Sequence, residues 1–241
     1  VSFTGAQLGF GISSSGESLY LVNPSQTRVI DAIRFQGSAK GVSQGRYPNG
    51  SEPLSELAAP TPGAANAQRL VRDIVVNEIM YAPITGDNDD EFIELYNRGS
   101  AAVSLAGWQI SDGVSFTFPT NAIIAAKGYA VVGKNLARLL ANYPNLTTDN
   151  TFGNYSGTLA NGGDRIILTM PETVVGTNTS GKLNTNTVHV VVNDVTYSDG
   201  GRWGRWADGG GSSLELIDSD SDNRQAPSWA DSDETRKAPW T

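Results

Sequence analysis

Short runs of apolar residues recur along the chain, and each is bounded by glycine, proline, asparagine or aspartate. The runs are rich in β-branched and aromatic side chains, which is typical of β-strands. They occupy residues 19–22, 29–35, 74–80, 92–96, 108–110, 116–118, 129–132, 166–168, 188–195 and 214–217. Many short strands separated by frequent turn signals predict an all-β sandwich or barrel.

One segment carries the pattern of a helix. Asn135 can cap its N-terminus, and Leu136, Leu139 and Leu140 follow at the spacing of one helical face. The Tyr-Pro pair at residues 143–144 ends the pattern. We expect one short helix here, in an insertion between strands, and we expect it to cover one end of the sandwich.

Two stretches of small and polar residues interrupt the strand pattern. Residues 60–67 are rich in proline, glycine and alanine and lack a large apolar side chain, so they predict a domain boundary. Residues 176–187 consist mainly of threonine, asparagine, serine and glycine. They predict a long exposed hairpin loop.

The sequence contains an internal repeat. Residues 16–21 resemble residues 163–168, and residues 45–50 resemble residues 204–209. The first copy has no counterpart of residues 73–160, so the chain appears as one partial copy followed by a whole one. We therefore predict that the given sequence begins inside one domain, shortened by truncation or proteolysis, and continues with a complete domain.

The predicted domains are residues 1–66, the closing half of a first sandwich, and residues 73–241, a complete sandwich, with residues 67–72 as the linker. An incomplete sandwich leaves unpaired strand edges and a bare apolar face. We expect the half-domain to compensate in one of two ways. It packs against the complete domain, or two chains exchange strands and form a homodimer.

Composition narrows the range of functions. The chain has 241 residues and a net charge of −8, from 25 acidic and 17 basic side chains, whereas a protein that binds phosphate backbones needs a basic surface. We therefore expect no nucleic-acid partner. The absence of cysteine excludes disulfides, thiol nucleophiles and thiolate metal sites, and the single histidine excludes histidine-rich metal centres. No apolar run is long enough to cross a membrane, and no signal peptide opens the given sequence.

Residues 73–133 and the tail of the chain from residue 212 resemble the lamin tail domain in its bacterial form. The runs that carry this resemblance are residues 74–81, 90–97, 103–113, 116–119, 123–132 and 212–218, together with Trp229 and Pro239. The resemblance implies an immunoglobulin-like β-sandwich. It also implies an interaction unit of the kind appended to secreted hydrolases or cell-surface proteins, and hence an extracellular or cell-surface bacterial location. Residues 135–160 and 170–190 are longer than the family pattern.

Two acidic runs are candidates for a calcium site. Hard cations such as Ca²⁺ bind six to eight oxygens, and clustered carboxylates supply them. The predicted ligands are Asp87, Asp89, Asp90 and Glu91 in the first run and Asp218, Asp220 and Asp222 in the second. The second run lacks the glycine and the glutamate of an EF-hand loop, because those positions hold Asn223 and Trp229. The alternatives are a different kind of calcium site, joining the two runs, and acidic turns exposed to solvent.

Other candidate chemistry has weaker support. Glu78, Glu91, Glu94 and Glu215 could form carboxylate pairs for acid–base catalysis, but sequence spacing gives no distance between them, and structural carboxylates show the same pattern. His189 lies among valines and is expected at an exposed position in a strand. The glycine runs match neither phosphate-binding motif, so they predict turns.

Aromatic residues supply the last candidate site. Trp203 and Trp206 lie in a turn rich in glycine and arginine, and Tyr197 is close in sequence. Exposed tryptophan can stack on a sugar ring or anchor a protein partner, while the alternative is packing in the core.

The leading hypothesis is a non-catalytic adhesion or scaffolding module of a larger secreted or cell-surface bacterial protein, binding a protein partner. A second hypothesis is a carbohydrate-binding module that uses the Trp203–Trp206 region, with calcium as a structural aid. A third is a hydrolase that uses carboxylates and a metal, which would need a deep cleft.

Overall fold

The computed structural model describes residues 9–51, 54–177 and 182–233, so the start of the first predicted domain and the end of the second lie outside the described residues. The chain divides into two compact units. Unit 1 comprises Val1–Val71 and Pro171–Val191, and unit 2 comprises Arg72–Met170 and Val192–Thr241. The predicted bounds at residues 66 and 73 stay predictions.

Unit 1 contains two antiparallel hairpins among its described residues. Their strands are β1 (Gly16–Val22), β2 (Val29–Gln36), β3 (Ser43–Arg46) and β4 (Leu54–Leu57). β1 pairs with β2, and β3 pairs with β4. Leu57, in β4, is buried, whereas most apolar side chains of β1 and β2 are exposed.

The remaining strands begin with β5. They are β5 (Ile74–Met80), β6 (Phe92–Asn97), β7 (Val103–Ser104), β8 (Gln109–Asp112), β9 (Val114–Thr117), β10 (Ile123–Ile124), β11 (Tyr129–Gly133), β12 (Thr151–Phe152), β13 (Ser156–Gly157), β14 (Arg165–Thr177), β15 (Leu183–Thr196), β16 (Leu214–Leu216) and β17 (Trp229–Asp231). Two long strands among them, β14 and β15, each have residues in both units. The helix α1 spans Leu136–Asn142, and short 3₁₀ helices span Asn88–Asp90 and Ala226–Ser228.

Unit 2 is a β-sandwich. One sheet has the strand order β12-β11-β6-β5-β16-β17, and the other has the order β13-β9-β8-β14-β15. The short strands β7 and β10 pair with each other and form a separate two-stranded sheet. Both sheets contribute to one buried core, in which Ile93 and Leu95 from β6 meet Ile110 from β8 and Leu168 from β14. The prediction of an all-β, immunoglobulin-like sandwich with one short helix is confirmed.

The helix begins and ends where the sequence predicts. The Asn135 side chain accepts a hydrogen bond from the backbone N–H of Arg138 at 3.2 Å, which caps the N-terminus. Its position differs from the prediction, because Leu139 packs with Phe92 and Val131. These residues alternate with the core residues of β6 and β11, so they lie on the outer face of the six-stranded sheet. α1 therefore covers part of that outer face and does not close an end of the sandwich.

The described residues of the predicted loop at 176–187 are mostly strand. β14 continues to Thr177 and β15 begins at Leu183, and residues 178–181 lie outside the described part. Within unit 1, a Cβ atom on Gly37 would lie 3.5 Å from Val188, which places this part of β15 against residues that follow β2. Polar composition hid the strands because both faces of an extended hairpin can be exposed.

Two asparagines complete the hydrogen bonds of an irregular strand. The β5–β6 register shifts between Val76 and Glu78, which marks a β-bulge. The Val76 N–H donates to Asn193 Oδ1 at 3.0 Å, and Asn223 Nδ2 donates to the Val76 carbonyl at 3.2 Å. Asn223 also accepts a hydrogen bond, at its own carbonyl, from Trp229 Nε1 at 2.7 Å. The bulge is thus held by side chains from distant parts of the sequence.

In the described portion of the chain, no helix combines the length and apolar character that a membrane crossing requires.

Candidate interaction surface

The first acidic run folds around an arginine. Asp87 caps the short 3₁₀ helix by accepting a hydrogen bond from the N–H of Asp89 at 3.0 Å. Arg138 of α1 donates to Asp90 Oδ1 at 2.5 Å and Oδ2 at 2.8 Å, and to Asp87 Oδ2 at 2.6 Å. The Asp89 carboxylate accepts from Asn135 at 3.0 Å. The hydrogen bond from the N–H of Asp89 and then the Arg138 guanidinium lower the pKa of Asp87. The negative charge of this acidic run is therefore balanced by an arginine of the same chain.

Glu91 does not belong to this group around Arg138. Its side chain is fully buried, and Oε2 accepts hydrogen bonds from the Tyr155 hydroxyl at 2.8 Å and from the Leu159 N–H at 3.0 Å. Burial raises the pKa of Glu91, while the Leu159 and Tyr155 hydrogen bonds oppose that rise. The prediction of Glu91 as a surface calcium ligand is therefore corrected: it is a structural carboxylate that ties the segment around residues 155–159 to β6.

The second acidic run is also organised by arginine. Asp218 accepts a hydrogen bond from the N–H of Asp220 at 2.9 Å, which makes a tight turn. Arg98 donates to the Ser219 carbonyl at 2.5 Å and lies 4.0 Å from the Asp220 carboxylate. Asp222 pairs with Arg224 at 3.1 Å. Each acidic run thus has basic partners nearby.

No group of three or more acidic or histidine side chains in the described ranges is arranged to hold a metal ion. The seven predicted ligands are therefore not brought into one site by the fold. Arginines occupy the positions beside the carboxylates of Asp87, Asp90 and Asp222. Calcium binding stays a prediction, and the geometry favours acidic turns neutralised within the protein.

Three of the four glutamates considered for catalysis stand side by side. The strand register pairs Glu94 with Glu78 and Glu78 with Glu215, across β6, β5 and β16. Glu94 accepts a hydrogen bond from Asn77 at 2.9 Å, and Glu78 accepts one from the hydroxyl of Ser213. All three are half-buried on a sheet face. These contacts are those of a structural ladder of carboxylates with hydroxyl and amide partners.

Tyr197 belongs to the core. Its side chain is buried, its ring lies 4.6 Å from that of Tyr81, and its hydroxyl donates to the Ala160 carbonyl at 2.9 Å. The prediction of Tyr197 as a ligand-binding residue is corrected, because a ligand at the surface cannot reach the ring. Burial raises the pKa of its hydroxyl above the usual range for tyrosine, so it remains a hydrogen-bond donor.

Trp203 occupies an intermediate position. It is half-buried and packs against the main core, and its ring lies 6.1 Å from the ring of buried Trp229. It therefore supports the loop that follows it, and only part of its surface faces solvent. Of the predicted ligand residues, this leaves Trp206 as the most accessible.

Trp206 is 65% exposed, although the loop that carries it is well anchored. Asp231 Oδ1 accepts hydrogen bonds from the N–H of Trp206 at 2.8 Å and of Ala207 at 2.9 Å. Ala207 is buried, so the backbone at residues 206–207 is held both by the Asp231 carboxylate and by the packing of Ala207. A Cβ atom on Gly210 would lie 2.9 Å from Trp206 Cε3, so glycine lets the indole lie close to the backbone.

A second apolar side chain lies near this loop. Ile84 is 50% exposed, and its Cδ1 atom would lie 3.4 Å from a Cβ atom on Gly211. The Gly209 N–H donates to the Ala82 carbonyl at 3.1 Å, which joins the two loops. We call Ile84, Trp206 and the glycines 209–211 the Trp206 surface. Large exposed aromatic side chains on rigid loops are common anchors of protein interfaces.

His189 lies in β15 and is exposed, as predicted. The residues that sequence reasoning missed are Arg138, Asn193, Asn223 and Asp231, whose partners are far away in the sequence. The sequence places Arg138 on the predicted helix, three residues after the cap Asn135, but it does not indicate that this helix lies beside the acidic run. Asn193 and Asn223 gave no signal, because a β-bulge cannot be read from an apolar pattern.

Comparison with protein families matches residues 67–191 to the family described as Lamin Tail Domain. A comparison with curated proteins finds no match. The family match includes β5 to β14 and most of β15, and thus the opening half of the sandwich and its acidic loop. Since the match covers more than half of the chain, the protein belongs to the lamin tail domain family.

Proposed function

We propose that this protein is a non-catalytic interaction or scaffolding module of a larger secreted or cell-surface bacterial protein, and that the Trp206 surface binds its protein partner. Lamin tail domains are immunoglobulin-like and are typically protein-interaction modules, and the family is non-catalytic. The observation that carries the proposal is Trp206, 65% exposed on a loop fixed by Asp231 and buried Ala207.

The physical argument concerns the cost of ordering. A binding side chain that is already held in place loses little conformational freedom when a partner arrives. Trp206 has this property because its loop is anchored by Asp231, and its exposed indole offers a large apolar area. Ile84, also half exposed, lies against Gly211 of the same loop, so a second apolar side chain is available to a protein partner there.

The composition is compatible with the proposed extracytoplasmic location. The chain has no cysteine and a net charge of −8, so its folding does not depend on the redox state of the compartment. A signal peptide ahead of this sequence in the full-length polypeptide, or detection of the protein in the cell-surface fraction, would support this part. Detection in the cytoplasm alone would contradict it.

Glycan binding is the second candidate. Trp206 could act as a platform for a sugar ring, since an exposed indole stacks on the apolar face of a pyranose, and carboxylates such as Asp208 lie on the same loop. Calcium would assist such a site only if the acidic runs bind it.

The test compares the full chain with Trp206→Ala and with Tyr129→Ala, an exposed aromatic of unit 2 remote from residue 206 in sequence. Each variant is immobilised and presented with surface proteins of the producing cells and with a glycan array. We expect about a tenfold or greater loss of affinity for a protein partner with Trp206→Ala and none with Tyr129→Ala. Glycan binding that depends on Trp206 would favour the second candidate. Equal binding by all three chains would remove the Trp206 surface from the proposal.

A further inference from the structure

The turn before β1 has the same hydrogen bonds as the turn before β14. The Gly16 N–H donates to the Ser13 carbonyl at 3.3 Å, and the Gly163 N–H donates to the Ala160 carbonyl at 3.1 Å. An acidic side chain closes each turn: Glu17 accepts from the Ser13 N–H at 2.8 Å. In the other turn, Asp164 accepts from the Ala160 N–H at 3.3 Å.

The glycine of each turn also meets the next strand in the same way. A Cβ atom on Gly16, where φ is +98°, would lie 2.5 Å from the Phe35 carbonyl oxygen. A Cβ atom on Gly163, where φ is +123°, would lie 2.7 Å from the Tyr197 carbonyl oxygen. Both the positive φ and the close approach require glycine. The two hairpins therefore share local structure as well as sequence.

Their apolar side chains differ sharply in exposure. Leu159 and Leu168 in unit 2 are fully buried. The residues at the same places relative to the glycine of unit 1, Ile12 and Leu21, are 58% and 60% exposed. Covering exposed apolar side chains is favourable, so Ile12 and Leu21 are candidates for contact with a partner.

Unit 2 indicates what covers such a hairpin. β14 pairs on its other edge with β8, where Leu168 stands opposite Ile110 and Ile167 opposite Ser111. In the described residues, β1 pairs with β2 alone, so the edge of β1 that corresponds to the β8 side of β14 is free. Exposed Tyr20 and Leu21 lie along β1 beside that edge.

We propose that the β1–β2 hairpin belongs to the closing half of a second lamin-tail sandwich, and that its free edge and apolar face receive an opening half like residues 73–147. In unit 2 the strands of the opening half come before the β14–β15 hairpin in the chain. This inference rests on the repeat and the family, and it is independent of the Trp206 surface.

A second copy of this chain is a poorer occupant. Each chain would carry two closing halves and a single opening half, so exchange between two chains would leave closing halves uncovered. β8 of a second copy could reach β1 only by leaving its own β14. Because each chain has more closing halves than opening halves, an additional opening half is favoured over a homodimer as the partner of the hairpin.

The experiment extends the full chain with an added copy of residues 73–147 ahead of Val1 and compares it with the parent chain. Hydrogen exchange of residues 16–24 is followed by mass spectrometry. We expect exchange there to slow at least tenfold in the extended chain, as newly paired strand amides require. Leu21→Asp should abolish the added protection and should leave the melting temperature of the parent chain unchanged, because Leu21 is exposed there.

Exchange of residues 92–96, present twice in the extended chain, reports whether the added copy folds. Protection of both copies without protection of residues 16–24 would overturn the proposal. An added copy that stays unprotected would overturn it too, because the hairpin would then have failed to complete it. Dimers of the parent chain that disappear with Leu21→Asp would assign the surface to a second copy and also overturn it.

Discussion

The hydroxyl of Tyr155 donates a hydrogen bond to the carboxylate of Glu91 across 2.8 Å, inside the protein and away from water. The same carboxylate oxygen accepts from the Leu159 N–H. Glu91 therefore satisfies two buried donors from a segment that has no strand partner at Leu159. These contacts join Glu91, at the end of the acidic loop, to the segment that leads into β14.

Replacing Glu91 by alanine should lower the free energy of unfolding by about 2–4 kcal/mol. The substitution leaves the Tyr155 hydroxyl and the Leu159 N–H buried without an acceptor, and each orphaned group costs about 1–3 kcal/mol. Urea unfolding at neutral pH measures the change. Asp149→Ala, at an exposed acidic position, is the matched control and should stay within about 0.5 kcal/mol of the parent. Equal effects of the two substitutions would contradict the structural role of Glu91.

The pH dependence of Glu91→Gln should differ from that of the parent protein. Burial raises the pKa of Glu91 in the folded state, so the folded protein binds its proton more tightly than the unfolded chain does. The contribution of this group to stability therefore decreases as pH rises from about 4 through the folded pKa. Glutamine cannot titrate, so the stability of the variant relative to the parent should improve between about pH 4 and pH 7. A relative stability that is constant or declines over this range would show that the raised pKa is wrong.

Asn223→Ala should destabilise unit 2 by about 2–3 kcal/mol. The substitution removes the donor to the Val76 carbonyl at the β-bulge and leaves that carbonyl without its side-chain partner. Asn161→Ala, at an exposed turn position, is the control and should be nearly neutral. Chemical denaturation of both variants provides the comparison. If Asn223→Ala left the free energy of unfolding unchanged, water would have replaced the asparagine at the bulge and the prediction would be wrong.

The calcium prediction and the arginine contacts have opposite consequences for thermal stability. If Asp87 and Asp90 are neutralised by Arg138, millimolar calcium or EDTA should shift the melting temperature by less than about 1 °C. A tight native site would raise it clearly with calcium and lower it with EDTA. Arg138→Gln serves as the comparison, because it removes the cation while the carboxylates remain. A rise with calcium in the parent chain would restore the predicted site.

The strands and the helix could be read from the sequence because their signals are local. Ile93 and Leu95 share one face of their strand and are buried as the pattern predicts, and Asn135 caps α1 as expected. The long strands β14 and β15 were partly missed, since much of their outer ends is exposed and residues 176–187 are mostly polar. Local composition cannot distinguish such strands from a loop.

The site was harder to predict because it depends on contacts between distant segments. Asp90 and Glu91 are neighbours in the sequence, yet one faces Arg138 and the other is buried against Tyr155. The direction of each side chain is set by the 3₁₀ turn at Asn88–Asp90 and by a segment that follows much later. In the same way, Tyr197 and Trp206 are near in sequence, but one lies in the core and the other at the surface.

The six-stranded sheet places β16 beside β5, so one of the last strands of unit 2 completes a pairing with its first. Contacts between residues so far apart in the chain slow folding, because a long loop must close before they form. During synthesis on the ribosome, β5 and β6 emerge long before Leu214 exists, and the edge of β5 that pairs with β16 meanwhile has no partner strand. We therefore expect nascent chains of this family to need protection from aggregation until the final strands leave the exit tunnel.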